Sequence, residues 1–146
     1  MRDASLLQFA DPGLQSRYRV HLLREARLTE RGVAYLDEDG PALLSWSVVV
    51  TAIAAEVGEP EGVCTVVFDL VVDVIVEPEG PACVVFRLDA EPGEEALEMA
   101  RAISLALGPG STDSSIRRLV SEGLPETRFP DLDEFEAAAL QAMAGR

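Results

Sequence analysis

The chain has 146 residues, 48% of them apolar, and a net charge of −14, which gives it the length for one domain with its own core and too much apolar content for wholesale disorder. All twelve basic residues are arginine, so lysine Schiff bases, lysine general bases and lysine phosphate cradles are excluded. Residues 1–36 hold six arginines against four acids, whereas 37–146 hold six against 22, a balance that repels nucleic acid and anionic headgroups.

No apolar run reaches the roughly 18 residues of a membrane helix. The longest uncharged stretch, Pro41 to Ala55, is too short and carries Ser45, Ser47 and Thr51. The N-terminal "MRDASLLQFADPG" lacks the apolar segment of a signal peptide. The expectation is a cytoplasmic protein without membrane insertion.

From Tyr18 the even positions read Tyr18, Val20, Leu22, Arg24, Ala26 and Leu28, and the odd ones Arg19, His21, Leu23, Glu25, Arg27 and Thr29. This is a strand with one flaw, Arg24, on its apolar face. "TERG" turns the chain, with Gly32 free to take positive φ, and "VAYL" returns. "DEDGP" at 37–41 is a second turn. "ALLSWSVVVTAIAAEV" reads as strand interrupted by one helical turn near Trp46, and "GEPEG" at 58–62 ends it.

The segment "VVFDLVVDVIVEPEGPACVVFRLD" at 66–89 is a long hairpin. Cys64, Val66, Phe68, Leu70, Val72, Val74 and Val76 make one apolar face, and Ala82, Val84, Phe86 and Leu88 continue it on the returning strand. Paired residue numbers must sum to an even value. A sum of 158 pairs Val76 with Ala82 and Leu70 with Leu88, sets Asp69 opposite Asp89, and places Arg87 diagonal to Asp69 and Asp73 on a solvent-facing side.

The period then changes to 3.6. Pro92, a glutamate-rich first turn and Gly108-Pro109 bound a helix at 94–107 with a stripe of Ala96, Met99, Ala100, Ile103 and Leu107. A shorter helix at about 113–122 carries Ile116, Leu119 and Val120 and stops at Gly123. "DLDE" at 131–134 resembles a capping box before a last helix burying Leu132, Phe135, Ala139, Leu140 and Met143. Strands first and helices after indicate an α+β fold in a single domain, 1–146.

Few residues carry chemistry. His21 is the single histidine and stands in a strand without a motif, so any Ser-His-Asp or Cys-His system must pass through it. Arg17, Arg19 and Arg27 share its strand face as a basic patch. Cys64 and Cys83 fall on opposite faces, with Cys83 opposite Ile75 and roughly 35 Å from Cys64 along a straight strand, which fits two free thiols in a reducing compartment. Asp69 and Asp73 are about 13 Å apart, too far to share an ion. Asp69 with Asp89 is the one closer pair, and it makes a divalent-metal enzyme the least favoured of three readings. "GPGSTDSS" at 108–115 lacks the lysine and spacing of a phosphate loop and reads as helix stop plus N-cap.

"REARLTERGVAYLDEDG", "LLSWSVV" and the amphipathic helix at 94–107 resemble a bacterial pleckstrin-homology-like (PH-like) domain over about 18–107. The resemblance implies a partly open antiparallel β-barrel or two packed sheets closed by the helix, with 111–146 as a helical extension. It also implies a binding module rather than an enzyme, with no metal or cofactor. The first hairpin turn, Thr29-Glu30-Arg31-Gly32, offers one arginine beside a glutamate where lipid-binding members place several basic residues, which argues against phosphoinositide binding. The favoured expectation is a non-catalytic protein-binding module acting through a strand edge or its C-terminal helices, with homo-oligomers allowed. The alternative is a small acidic chaperone or immunity-type protein that masks a basic partner.

Overall fold

The computed structural model describes residues 5–6, 18–58, 62–76, 80–123 and 128–144. The chain is α+β, with two sheets, three helices among the described residues and no closed barrel. The strands are β1 (Ser5–Leu6), β2 (Tyr18–Leu22), β3 (Arg24–Leu28), β4 (Gly32–Asp37), β5 (Gly40–Ser45), β6 (Thr51–Val57), β7 (Thr65–Val76), β8 (Gly80–Ala90) and β9 (Arg128–Phe129). The helices are α1 (Glu94–Leu107), α2 (Ser114–Glu122) and α3 (Leu132–Ala144). A six-stranded sheet runs β1-β2-β8-β7-β6-β9, and a three-stranded sheet runs β3-β4-β5.

The strand expected from Tyr18 to Leu28 is two strands in two sheets. β2 lies parallel to β8, with His21 beside Phe86. At Leu23, whose N–H donates to the Arg87 carbonyl at 3.0 Å, the chain crosses to the small sheet and pairs antiparallel with β4. The ladder shifts by one residue between Arg24 and Arg27, and Glu25 there takes a positive φ of 51°. A bulge adds one residue and so resets parity. Ala26 and Leu28 point into the core, as the even-face pattern requires, but in β2 the odd residue His21 does so. The flaw in the pattern, Arg24, stands at the crossing.

The β4–β5 hairpin closes at Asp37 and Gly40, and a single 3-10 turn, Trp46–Val48, separates β5 from β6, as expected. The Trp46 indole N–H donates to the Thr29 carbonyl at 2.8 Å, which ties this turn to the first hairpin. Gly32 has φ of 158°, and a Cβ there would collide with the Leu44 carbonyl of the neighbouring strand.

β6, β7 and β8 form an antiparallel meander that contains the expected long hairpin, but the register of that hairpin differs. Val76 pairs with Gly80, Leu70 with Phe86 and Asp69 with Arg87. The parity, and so the two faces, are as expected. The connection is shorter, and every partner moves by two residues. The even face holds Phe68, Leu70, Phe86 and Leu88 against Val33, Tyr35 and Leu44 of the small sheet and Trp46 of the 3-10 turn. The α1 residues Ala96, Ala100 and Ile103 and the α2 residues Ile116 and Leu119 complete this core.

The other face of the large sheet is covered as well. Phe135 of α3 is buried with Ala55 and Val67, against Ile53, Val57 and Phe129. Asp69 and Arg87, expected on a solvent side, are 0% and 4% exposed. Leu132, expected to be buried, is 38% exposed. The expected burial of Ala139, Leu140 and Met143 concerns side chains outside those described.

The C-terminal segments also close the edge of β6. Thr112 bridges Ala52, and the Asp113 N–H donates to the Ala52 carbonyl at 2.9 Å. The Ser115 hydroxyl accepts from the Ala54 N–H at 2.9 Å. β9 then pairs in parallel with Glu56 and Val57. An edge covered in this way offers no template for another strand.

Candidate functional site

The Asp69/Asp89 pair suggested by the sequence does not form. Asp89 is exposed and stands opposite Val67, not Asp69. Both Asp69 oxygens accept from Arg87: Nε to Oδ1 at 2.7 Å and Nη2 to Oδ2 at 2.9 Å. The remaining guanidinium nitrogen, Nη1, donates to Glu136 Oε1 at 2.6 Å, and the Phe135 ring centroid lies 5.3 Å from Cζ. Two strands and a helix are therefore joined by one arginine. Burial pushes the Asp69 carboxyl above its ordinary value, and the hydrogen bonds and charge of Arg87 offset only part of this. Burial also opposes the charge on Arg87, but Asp69 and then Glu136 outweigh it and raise that group further. The arrangement locks α3 onto the sheet. Both Asp69 oxygens are engaged by Arg87, and among the described residues no group of three or more His, Cys, Asp and Glu is placed to hold a metal ion.

The basic patch read along one strand is divided by the crossing at Leu23. Arg17 lies outside the described residues, Arg19 belongs to β2 and Arg27 to β3. His21 is not on the surface. It is 5% exposed, packs edge-on against Tyr35 and Phe86 with centroids 6.1 and 5.6 Å away, and its Nδ1 has no hydrogen-bond partner among the described residues. Cys64, expected to be buried, is half-buried, with its Sγ donating to the Gly62 carbonyl at 3.9 Å, and Cys83 stands opposite Asp73 rather than Ile75. Residues 108–115 do what the sequence indicates. Gly108 caps α1, a 3-10 turn follows, and Asp113 caps α2 by accepting from the Ser115 N–H at 3.0 Å.

A different surface emerges on the outside of the small sheet. Paired residues share a face, so two rows cross it: Arg27, Ala34 and Leu43, and Arg24, Leu36 and Pro41. Arginine occupies the β3 end of each row, and apolar residues occupy β4 and β5. Leu36 is 37% and Leu43 47% exposed. Arg24 and Arg27 are exposed, and neither makes an ion pair among the described residues. No described element packs on this face. The sequence carried the signal in the alternation of "GVAYLDEDGPALLS", in which Ala34, Leu36 and Leu43 fall opposite to Val33, Tyr35 and Leu44. That signal becomes readable only once the bulge at Glu25 brings Arg24 and Arg27 onto the same side.

No protein-family model matches the chain, and no curated protein or solved structure matches it. No helix among the described residues is long and apolar enough to cross a membrane.

Proposed function

We propose that the protein is a non-catalytic, cytoplasmic protein-binding module of PH-like architecture. The PH-like reading is supported by two antiparallel meanders joined through one bent strand, with α1 packed across the core between them. The binding reading rests on one observation: the outer face of β3-β4-β5 exposes Leu36 and Leu43 beside Arg24 and Arg27, which make no ion pair among the described residues, while the large sheet carries helices on both faces. Half-apolar faces of this kind mark contact surfaces.

The contact falls on this face rather than on the C-terminal helices, because Ile116, Leu119 and Phe135 are committed to the protein's own cores. The test is affinity capture from native cells with the intact chain and with Leu36→Asp/Leu43→Asp, which should fold alike. A specific partner held by the first and lost by the second supports the proposal, and equal capture by both refutes it.

The acidic-masking alternative rests on the net charge of −14. It requires a basic partner held by the acidic surface, so binding would be lost at high salt and insensitive to Leu36 and Leu43.

A further inference from the structure

Resting on the protein-binding reading, we infer that the occupant of the outer β3-β4-β5 face is an acidic amphipathic helix of another protein. It would lie with its apolar stripe over Leu36, Pro41 and Leu43 and its carboxylates on Arg24 and Arg27.

Three observations select this occupant. The first is charge. In a chain with 26 acids and 12 arginines, two exposed arginines that have no acidic partner among the described residues lie along one margin of an apolar face. Their complement is a segment with carboxylates along one flank and apolar groups beneath. The second is the edge. The Thr29 N–H donates to the Gly32 carbonyl at 2.8 Å, which sets the alternation of the β3–β4 ladder, and the Asp37–Gly40 closing pair sets that of β4–β5. Counted from these, Pro41, Leu43 and Ser45 are the β5 residues whose backbone groups turn outward. Pro41 has no N–H, so the edge offers a broken ladder and a strand would add to it poorly. The face is the better seat. The third is size. Three strands span about 10 Å, the diameter of an α-helix, and a helix is the usual cover for the apolar face of an open sheet. A second copy using the same face would bring arginine rows together.

The experiment uses the full chain and a synthetic helical peptide of about 20 residues, with leucines on one stripe and glutamates on one flank. Its twin carries lysine in place of glutamate. Binding is read by fluorescence anisotropy, and the site by backbone amide shifts. The expected result is that the glutamate peptide binds, shifts amides of β3–β5, weakens with salt, and loses about tenfold or more in affinity with Arg24→Glu/Arg27→Glu. The lysine peptide should prefer that variant to the wild type. Arg24→Gln/Arg27→Gln serves if charge reversal disturbs folding, and it should weaken the glutamate peptide alone.

No binding of the glutamate peptide, or equal binding of both peptides to the wild type, overturns the inference. So does self-association of the chain in sedimentation that Leu36→Ser/Leu43→Ser abolishes, since a second copy would then be the occupant. Cellular capture that is lost with Leu36→Asp/Leu43→Asp yet unchanged by Arg24→Glu/Arg27→Glu leaves the protein-binding reading standing and removes only the acidic helix.

Discussion

Asp69 and Arg87 are direct cross-strand partners, joined by two hydrogen bonds of 2.7 and 2.9 Å in the middle of the β7–β8 hairpin. This pair distinguishes the observed register from the one two residues away. The apolar alternation fixes only parity, so both registers bury the same face. The alternative sets Asp69 against Asp89, like charge against like, whereas the observed one sets carboxylate against guanidinium.

A double-mutant cycle tests the pair. Arg87→Met leaves Asp69 buried without its counter-charge and should destabilise the fold by about 3–5 kcal/mol. Asp69→Leu alone removes the main partner of a guanidinium that is itself 4% exposed, with a cost of similar order. The double variant should recover most of the loss, because desolvating two charges offsets much of their attraction. Denaturant unfolding of the four proteins gives the coupling. Additive losses would mean that the two side chains act independently.

The long hairpin shows what was legible in the sequence. Its faces, and the helices at 94–107 and about 113–122, followed from periodicity, because burial of one face or one stripe dictates the spacing of apolar residues. The register did not, since parity cannot separate pairings two residues apart and the loop residues admit both. The switch of β2 and β3 between sheets was also hidden. It depends on a bulge at Glu25, a residue with no turn signature, and on a parallel β2–β8 pairing between segments far apart in the chain. The cover on the outer face is not legible in the alternation, because alternating Asp and Arg look the same whether they meet water or each other.

The buried carboxyl makes a signed prediction about pH. The folded value of Asp69 is raised, first by burial and against the pull of Arg87, while the unfolded value is about 3.9. Such a group contributes most stability below the unfolded value and loses it as pH rises through the folded one. Comparison with Asp69→Asn cancels the repulsion of the remaining acids. The stability of the wild type relative to that variant should fall as pH rises above about 4 and then level off. A relative stability that is instead flat above about pH 4 and is lost as pH falls below it would show that Arg87 outweighs burial.

His21 makes a different stability prediction. Its Nδ1 is buried without a hydrogen-bond partner among the described residues, while its ring packs on Tyr35 and Phe86. A buried polar atom left unpaired costs roughly 1–3 kcal/mol. His21→Phe keeps the aromatic packing and removes the unpaired nitrogen, so it should raise the unfolding free energy by about 1 kcal/mol. A loss of stability would show that the imidazole is held by an interaction of its other nitrogen that phenylalanine cannot make.

The last prediction concerns residues 111–146. As a separate extension they would be dispensable, but the structure makes them part of the fold in three ways. Ile116 and Leu119 fill the main core. Thr112, Asp113, Ser115 and Arg128–Phe129 satisfy the backbone along the edge of β6. Phe135 and Glu136 cover the buried Arg87. Their removal strips apolar cover from both faces of one sheet and uncovers an edge strand at once, and each consequence favours aggregation. A chain ending at residue 110 should lose cooperative unfolding and dispersed amide resonances. The single substitution Ser115→Ala, which orphans only the buried Ala54 N–H, should leave the fold intact at a cost of about 1–2 kcal/mol. A truncated chain that still unfolds cooperatively would place the whole of the stable core before residue 111, and the closure of β6 by the C-terminal segments would then be ornamental to stability.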